Sequence, residues 1–192
     1  SRKNRAIADM HEPGSTFKIV VVSAALNEQT VTPNDVFFCE NGRWMFKGKP
    51  LHDHDNGYGN LSVEGIITHS SNIGSAKIAV YRLGEEKLYD YMTRFGFGQP
   101  TGITLDGEIR GWVKHWKKWD GLAVSRIPMG HAITTTPLQM VMAMSTIANE
   151  GRLMRPMLID SLRGENGEVF VKFQPQTVRQ AISPHAAKQM VS

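Results

Sequence analysis

The sequence predicts an α+β protein weighted towards helix, and three observations carry that expectation. Apolar segments framed by helix start and stop signals recur along most of the chain. Strand signals are short, confined to residues 35–60 and to a Gly-centred hairpin near Gly167. At 192 residues and 41% hydrophobic, the chain has the make-up of a globular protein with one good core.

Taken in order, Pro13-Gly14 delivers Ser15 to a helix start, and Ile19-Val20-Val21-Val22-Ser23-Ala24-Ala25-Leu26 follows, apolar nearly all round. Such a helix is buried, and it should end near Asn27. Thr32-Pro33-Asn34-Asp35 is turn material, and residues 35–60 read as a Gly-, Asp- and His-rich loop with short strands such as Arg43–Phe46. Leu61-Ser62-Val63-Glu64 opens a helix with a cap and an acidic first turn. Further helices are expected over Ile73–Leu83 and Glu85–Phe95, the latter stopped by Gly96. Thr136-Pro137 is an N-cap with proline at the first helical position, and Leu138, Val141, Met142, Ser145 and Ala148 are expected to share the buried face until Gly151. Met157–Leu162 and Val169–Phe173 flank Glu165-Asn166-Gly167 as a β-hairpin, and Ser183-Pro184 begins a last helix that the chain cuts short. There are no repeats and no low-complexity segments.

A net charge of +4 is modestly basic, with Lys114-His115-Trp116-Lys117-Lys118-Trp119 as its one local cluster. No basic stripe or known motif accompanies it, so nucleic acid is not an expected partner. The single Cys39 excludes an internal disulfide and a cysteine-based metal site without excluding an extracytoplasmic address. No apolar run reaches membrane-spanning length and no signal peptide is visible. The chain starts without Met and reads as an excised piece.

Two elements carry chemistry. In Pro13-Gly14-Ser15-Thr16-Phe17-Lys18, residues three apart on a helix share a face, so the Ser15 hydroxyl and the Lys18 amine can meet. Burial and the positive end of the helix dipole both push a lysine there towards its neutral form. A neutral amine beside a hydroxyl is a general base beside a nucleophile; the competing reading is that Ser15 is a plain N-cap. The second element, His69-Ser70-Ser71-Asn72 between two helices, is either a capping turn or a polar cluster aimed at another site. His52-Asp53-His54-Asp55 has the spacing of metal ligands, but no third ligand group is evident and no metal is expected.

Together these residues resemble the transpeptidase domain of class B penicillin-binding proteins. Glu12-Pro13-Gly14-Ser15-Thr16-Phe17-Lys18, with Asn4-Arg5-Ala6-Ile7 before it, is similar to the family's nucleophile motif, and Ser70-Ser71-Asn72 to its Ser-x-Asn motif. Cys39-Glu40-Asn41-Gly42 with His52-Asp53, Gly107–Trp112, Thr136–Met140, Ile147–Gly151 and Arg155-Pro156 resemble further landmarks, so the likeness covers the whole chain. The departure is the third motif. No Lys-Thr-Gly occurs, and it would be expected beyond Val191-Ser192.

The resemblance implies the serine β-lactamase/transpeptidase fold, here mostly its helical lobe with an incomplete antiparallel sheet, as a single partial domain over residues 1–192. It implies a peptidoglycan D,D-transpeptidase in which Ser15 is the nucleophile, Lys18 its base, Ser70 a proton relay and Asn72 a support for Lys18 and substrate. It implies no cofactor and no metal. The partners would be stem peptides, β-lactams and a cell-wall complex with a glycosyltransferase, at the extracytoplasmic face of a bacterial inner membrane. The piece itself is expected to be inactive for want of the third motif. Rival readings are a β-lactamase, for which no Glu-x-x-Leu-Asn segment is found, a D,D-carboxypeptidase, and a non-catalytic scaffold or sensor. His131, in Met129-Gly130-His131-Ala132, lies where relatives often carry another polar or aromatic residue near the cleft; the alternatives are a substrate contact and a structural histidine, and the structural role is expected.

Overall fold

A computed structural model describes residues 3–54 and 57–191. Asn4 caps the short helix α1 (Arg5–Ala8), accepting from the Ala6 N–H. A 3-10 turn, Gly14–Phe17, then runs directly into α2 (Lys18–Asn27). Ser15 therefore lies inside the turn and is no N-cap, since the capping positions fall on Pro13 and Phe17. The apolar run behaves as its composition demands: Val20 through Leu26 are all buried.

The stretch before the second motif folds as strand pairs. These are β1 (Val36–Phe38), β2 (Arg43–Phe46), β3 (Lys49–His52) and β4 (Asn60–Ser62). β2 and β3 form a hairpin whose two-residue loop, Lys47-Gly48, has both φ values positive at 46° and 74°, the twist that suits tight hairpins. β1 pairs antiparallel with β4. Ser62 caps α3 (Val63–Thr68), accepting from the Gly65 N–H as the sequence predicts. Ser71 does the same for α4 (Asn72–Ile78), which continues through a π-helical turn, Ala79–Leu83. Gly84, at φ 77°, separates that turn from the body of α5 (Gly84–Arg94).

After α6 (Ala123–Arg126), α7 (Pro137–Ala148) opens with a full capping box between Thr136 and Gln139. Its buried face is the opposite of the expected one. Gln139, Met140, Ala143, Thr146 and Ile147 are inside, whereas Val141, Ser145 and Ala148 are exposed and Leu138 and Met142 half-buried. Apolar residues surround this helix, so periodicity alone does not orient it. Gln139 does, donating to the Gln99 and Arg110 carbonyls at 2.9 Å each.

β5 (Arg152–Met154) pairs antiparallel with β8 (Thr177–Gln180), and the hairpin of β6 (Ser161–Arg163) and β7 (Val169–Lys172) is nested between them. The first hairpin strand starts at Ser161 rather than Met157. The Arg155 N–H still bonds the Gln176 carbonyl and the Phe173 N–H the Asp160 carbonyl, but residues between these bonds belong to no strand. α8 (Pro184–Val191) closes the described chain. Among the described residues the sheet content is thus four antiparallel two-stranded pairs. The main core gathers α2, Tyr91, Phe95, Phe97, Ile133, Ile147 and Ile182, each large apolar side chain contributing about 1.5–3 kcal/mol on burial. A smaller cluster of Cys39, Trp44, Leu51, Ile73, Ala76 and Met129 lies beneath the β2–β3 hairpin.

Candidate active site

The turn that carries Ser15 is held from within and below. The Thr16 hydroxyl donates to the Pro13 carbonyl at 2.7 Å, and the buried Phe17 ring packs edge-on against Phe97 with centroids 5.1 Å apart. This leaves Ser15 exposed while Lys18, one turn on, is 2% exposed. The Lys18 Nζ lies 2.8 Å from Ser15 Oγ, 2.9 Å from Ser70 Oγ, 2.7 Å from the Ser70 carbonyl and 2.8 Å from Asn72 Oδ1. The four sequence-predicted residues converge on one nitrogen.

Accounting for donors gives this cluster its chemical meaning. The Ser70 carbonyl and Asn72 Oδ1, with its Nδ2 turned to the His52 carbonyl at 2.9 Å, can only accept. The two hydroxyls can accept or donate. A neutral amine serves both obligate acceptors with its two N–H groups and keeps its lone pair for a hydroxyl proton. Burial disfavours the ammonium and pulls the Lys18 pKa down from 10.5 to about 8, against an opposing pull from the negative Asp53.

The α3–α4 turn is shaped to bring Ser70 and Asn72 to this nitrogen. Ser70 sits at φ 54°, a left-handed conformation uncommon for serine, held by its N–H bond to the Ile67 carbonyl and the following Ser71 N–H bond to Ile66. Asp53 grips the far side. Its carboxylate accepts from the Ser71 hydroxyl at 3.0 and 3.1 Å and from the Asn72 and Ile73 N–H groups.

A backbone-on-backbone contact fixes the other wall. Gly130, at φ 75°, lies so close to Gly14 that a Cβ there would meet the Gly14 nitrogen at 2.2 Å. Glu12 ties the same two segments, accepting from the Ala132 N–H at 3.1 Å and pairing with His131 Nδ1 at 2.8 Å.

The family described as the penicillin binding protein transpeptidase domain matches residues 1–192. The chain belongs to the penicillin-binding protein transpeptidase family. Penicillin-binding protein PbpB of Mycolicibacterium smegmatis is 32% identical over 190 residues, which is 98% of this chain and 29% of that protein. Peptidoglycan D,D-transpeptidase FtsI of Escherichia coli K12 is 32% identical over 157 residues, 82% of this chain and 26% of the relative. The chain thus spans under a third of the length of these curated relatives. Among solved structures, penicillin-binding protein 3 of Mycobacterium tuberculosis complexed with aztreonam superposes with a TM-score of 0.88 at 30% identity, covering 99% of this chain and 42% of that one.

Other family landmarks are structural supports here. Glu108 accepts from the Thr101 and Gly102 N–H groups, and Arg155 donates to the Gly102 carbonyl at 2.8 Å. His131, exposed and paired with Glu12, is a tether between segments. Of the His52–Asp55 run, Asp55 lies outside the described residues, and Asp53 is committed to the α3–α4 turn. No cluster of three metal-ligating side chains occurs among the described residues. Asp53, Glu12 and Gly130 are the site-shaping residues that sequence reasoning missed. All three lie in segments that the sequence singles out, Glu12 in the nucleophile motif, Asp53 beside His52 and Gly130 beside His131, but nothing local gives them these roles.

Proposed function

We propose that this chain is part of a single transpeptidase domain of a peptidoglycan D,D-transpeptidase, with Ser15 as nucleophile and Lys18 as base. The observation that carries the reading is a buried amine surrounded by neutral oxygens, one of them the exposed Ser15 hydroxyl. Lys18 takes the Ser15 proton as Oγ attacks the penultimate carbonyl of a D-Ala-D-Ala stem. Ser70 passes that proton to the departing D-Ala nitrogen as the C–N bond breaks. The Ser15 N–H supplies one oxyanion donor. Asn72 holds Lys18 and has a second Nδ2 hydrogen for the substrate's amide carbonyl. An amine from a neighbouring stem then attacks the acyl-enzyme, returning a proton to Ser15 and forming the 4,3 cross-link. A β-lactam follows the first step and stalls because its leaving amine stays tethered.

No helix among the described residues is long and apolar enough to cross a membrane. We place the reaction at the extracytoplasmic face of a bacterial inner membrane, in a cell-wall complex with a glycosyltransferase, because the peptidoglycan it would cross-link lies on that side. The 192 residues contain no Lys-Thr-Gly, the expected source of the second oxyanion donor, and losing one such donor costs on the order of a hundred- to thousandfold in rate. This chain alone should therefore label slowly with a tagged penicillin, and a protein carrying it together with the third motif should label fast. Intact-mass spectrometry and peptide mapping decide the matter. A single adduct at Ser15, lost in Ser15→Ala, supports the reading; absence of any adduct in the longer protein, or one on another residue, sinks it.

A further inference from the structure

We propose that Asp53 is a positioning residue for this reaction, seating the Ser70–Asn72 turn against Lys18 and supplying the negative charge beside which the amine works. The proposal rests on the reading of Lys18 as base. Two consecutive residues at the end of β3 hold Asn72 from both sides. The His52 carbonyl accepts from Nδ2 at 2.9 Å, which turns Oδ1 towards Lys18, and Asp53 Oδ1 accepts from the Asn72 and Ile73 N–H groups. The same carboxylate receives the Ser71 hydroxyl, which in turn accepts from the Gly74 N–H at 2.9 Å. The side-chain contacts that orient Ser71 and Asn72 from outside the α3–α4 turn thus come largely from residues 52 and 53, about twenty positions earlier in the chain.

The groups facing Lys18 come from three segments. They are the Ser15 hydroxyl from the 3-10 turn, the Ser70 and Asn72 oxygens from the α3–α4 turn, and the Asp53 charge behind them. Among the described residues, Asp53 is the charged side chain whose field acts on the amine. It favours the ammonium and so opposes burial. Asp53 thus does two separable things. Its oxygens align the turn, and its charge moderates how readily Lys18 gives up its proton.

Two variants separate these roles. Asp53→Asn keeps an oxygen for the Asn72 and Ile73 N–H groups and removes the charge; Asp53→Ala removes both. In protein labelled with ¹³C at lysine Cε, with Lys18→Ala as the assignment control, the Lys18 titration midpoint should fall by about one unit in Asp53→Asn. Amide hydrogen exchange at Asn72 and Ile73 should stay near wild type in Asp53→Asn and speed up at least tenfold in Asp53→Ala. An unmoved midpoint in Asp53→Asn, or unchanged exchange in a folded Asp53→Ala, overturns the proposal. If Asp53→Ala does not fold, the Asp53→Asn midpoint alone decides. Both readouts work without turnover, so they fail independently of penicillin labelling.

Discussion

Among the described residues two lysines are buried, Lys18 and Lys77, and the decisive difference between them is a carboxylate in contact. Lys77, on α4, donates to the Phe38 carbonyl at 2.7 Å and the Glu40 carboxylate at 2.5 Å, between the faces of Trp44 and Phe38. Lys18 is buried more deeply still, and its direct partners are two hydroxyls, a carbonyl and an amide oxygen, with the Asp53 carboxylate acting from behind the turn. A carboxylate in contact makes a buried lysine half of an ion pair, which is architecture. Neutral oxygens leave a buried lysine free to become an amine, which is chemistry.

The comparison breaks most sharply on activity. In a protein carrying the third motif, Lys18→Ala should lower the rate of penicillin acylation on the order of a thousandfold or more, because the Ser15 proton loses its acceptor. Lys77→Ala should leave the rate per folded molecule within a few-fold. Stopped-flow labelling of both variants checks this, and a comparable loss in the two would erase the distinction.

A second test uses pH. The folded-state pKa of Lys18 lies below its unfolded value, about 8 against 10.5. Between those values the unfolded chain binds more protons, so stability rises with pH across that window. The shift corresponds to about 3 kcal/mol, gained by wild type relative to Lys18→Met between pH 8 and pH 10.5 in denaturant titrations. The same shift sets the acid limb of acylation. The rate should fall about tenfold per unit as pH drops below about 8.

The smallest effect belongs to the ion pair. Glu40 is about one-third exposed, which screens the interaction. Lys77→Ala should cost about 1–3 kcal/mol of unfolding free energy, and Lys77→Met less, because its stem keeps the packing against Trp44. Equal losses in the two variants would show that the charge rather than the stem matters.

The sequence made some of this legible because the information was local. The Ser15–Lys18 spacing, the Ser62 and Thr136 caps and the Gly96 stop are all written within a few residues, and each stands as expected. The convergence of Ser70 and Asn72 on Lys18 followed from the resemblance, since nothing in their spacing measures a separation in space. What escaped was non-local. The buried face of α7 was misassigned because the residue that orients it is polar, and Gln139 gets its partners from loops about thirty to forty positions earlier. Asp53 was grouped with its histidine neighbours because its true partners lie about twenty positions later in the chain.

The contact between Gly130 and Gly14 makes one position of the cleft intolerant of substitution. Main chain touches main chain there, with no side chain between. The spacing of the nucleophile turn from the segment facing it is therefore set by a direct backbone approach that tolerates no Cβ at Gly130. Any side chain at Gly130 drives the two backbones apart.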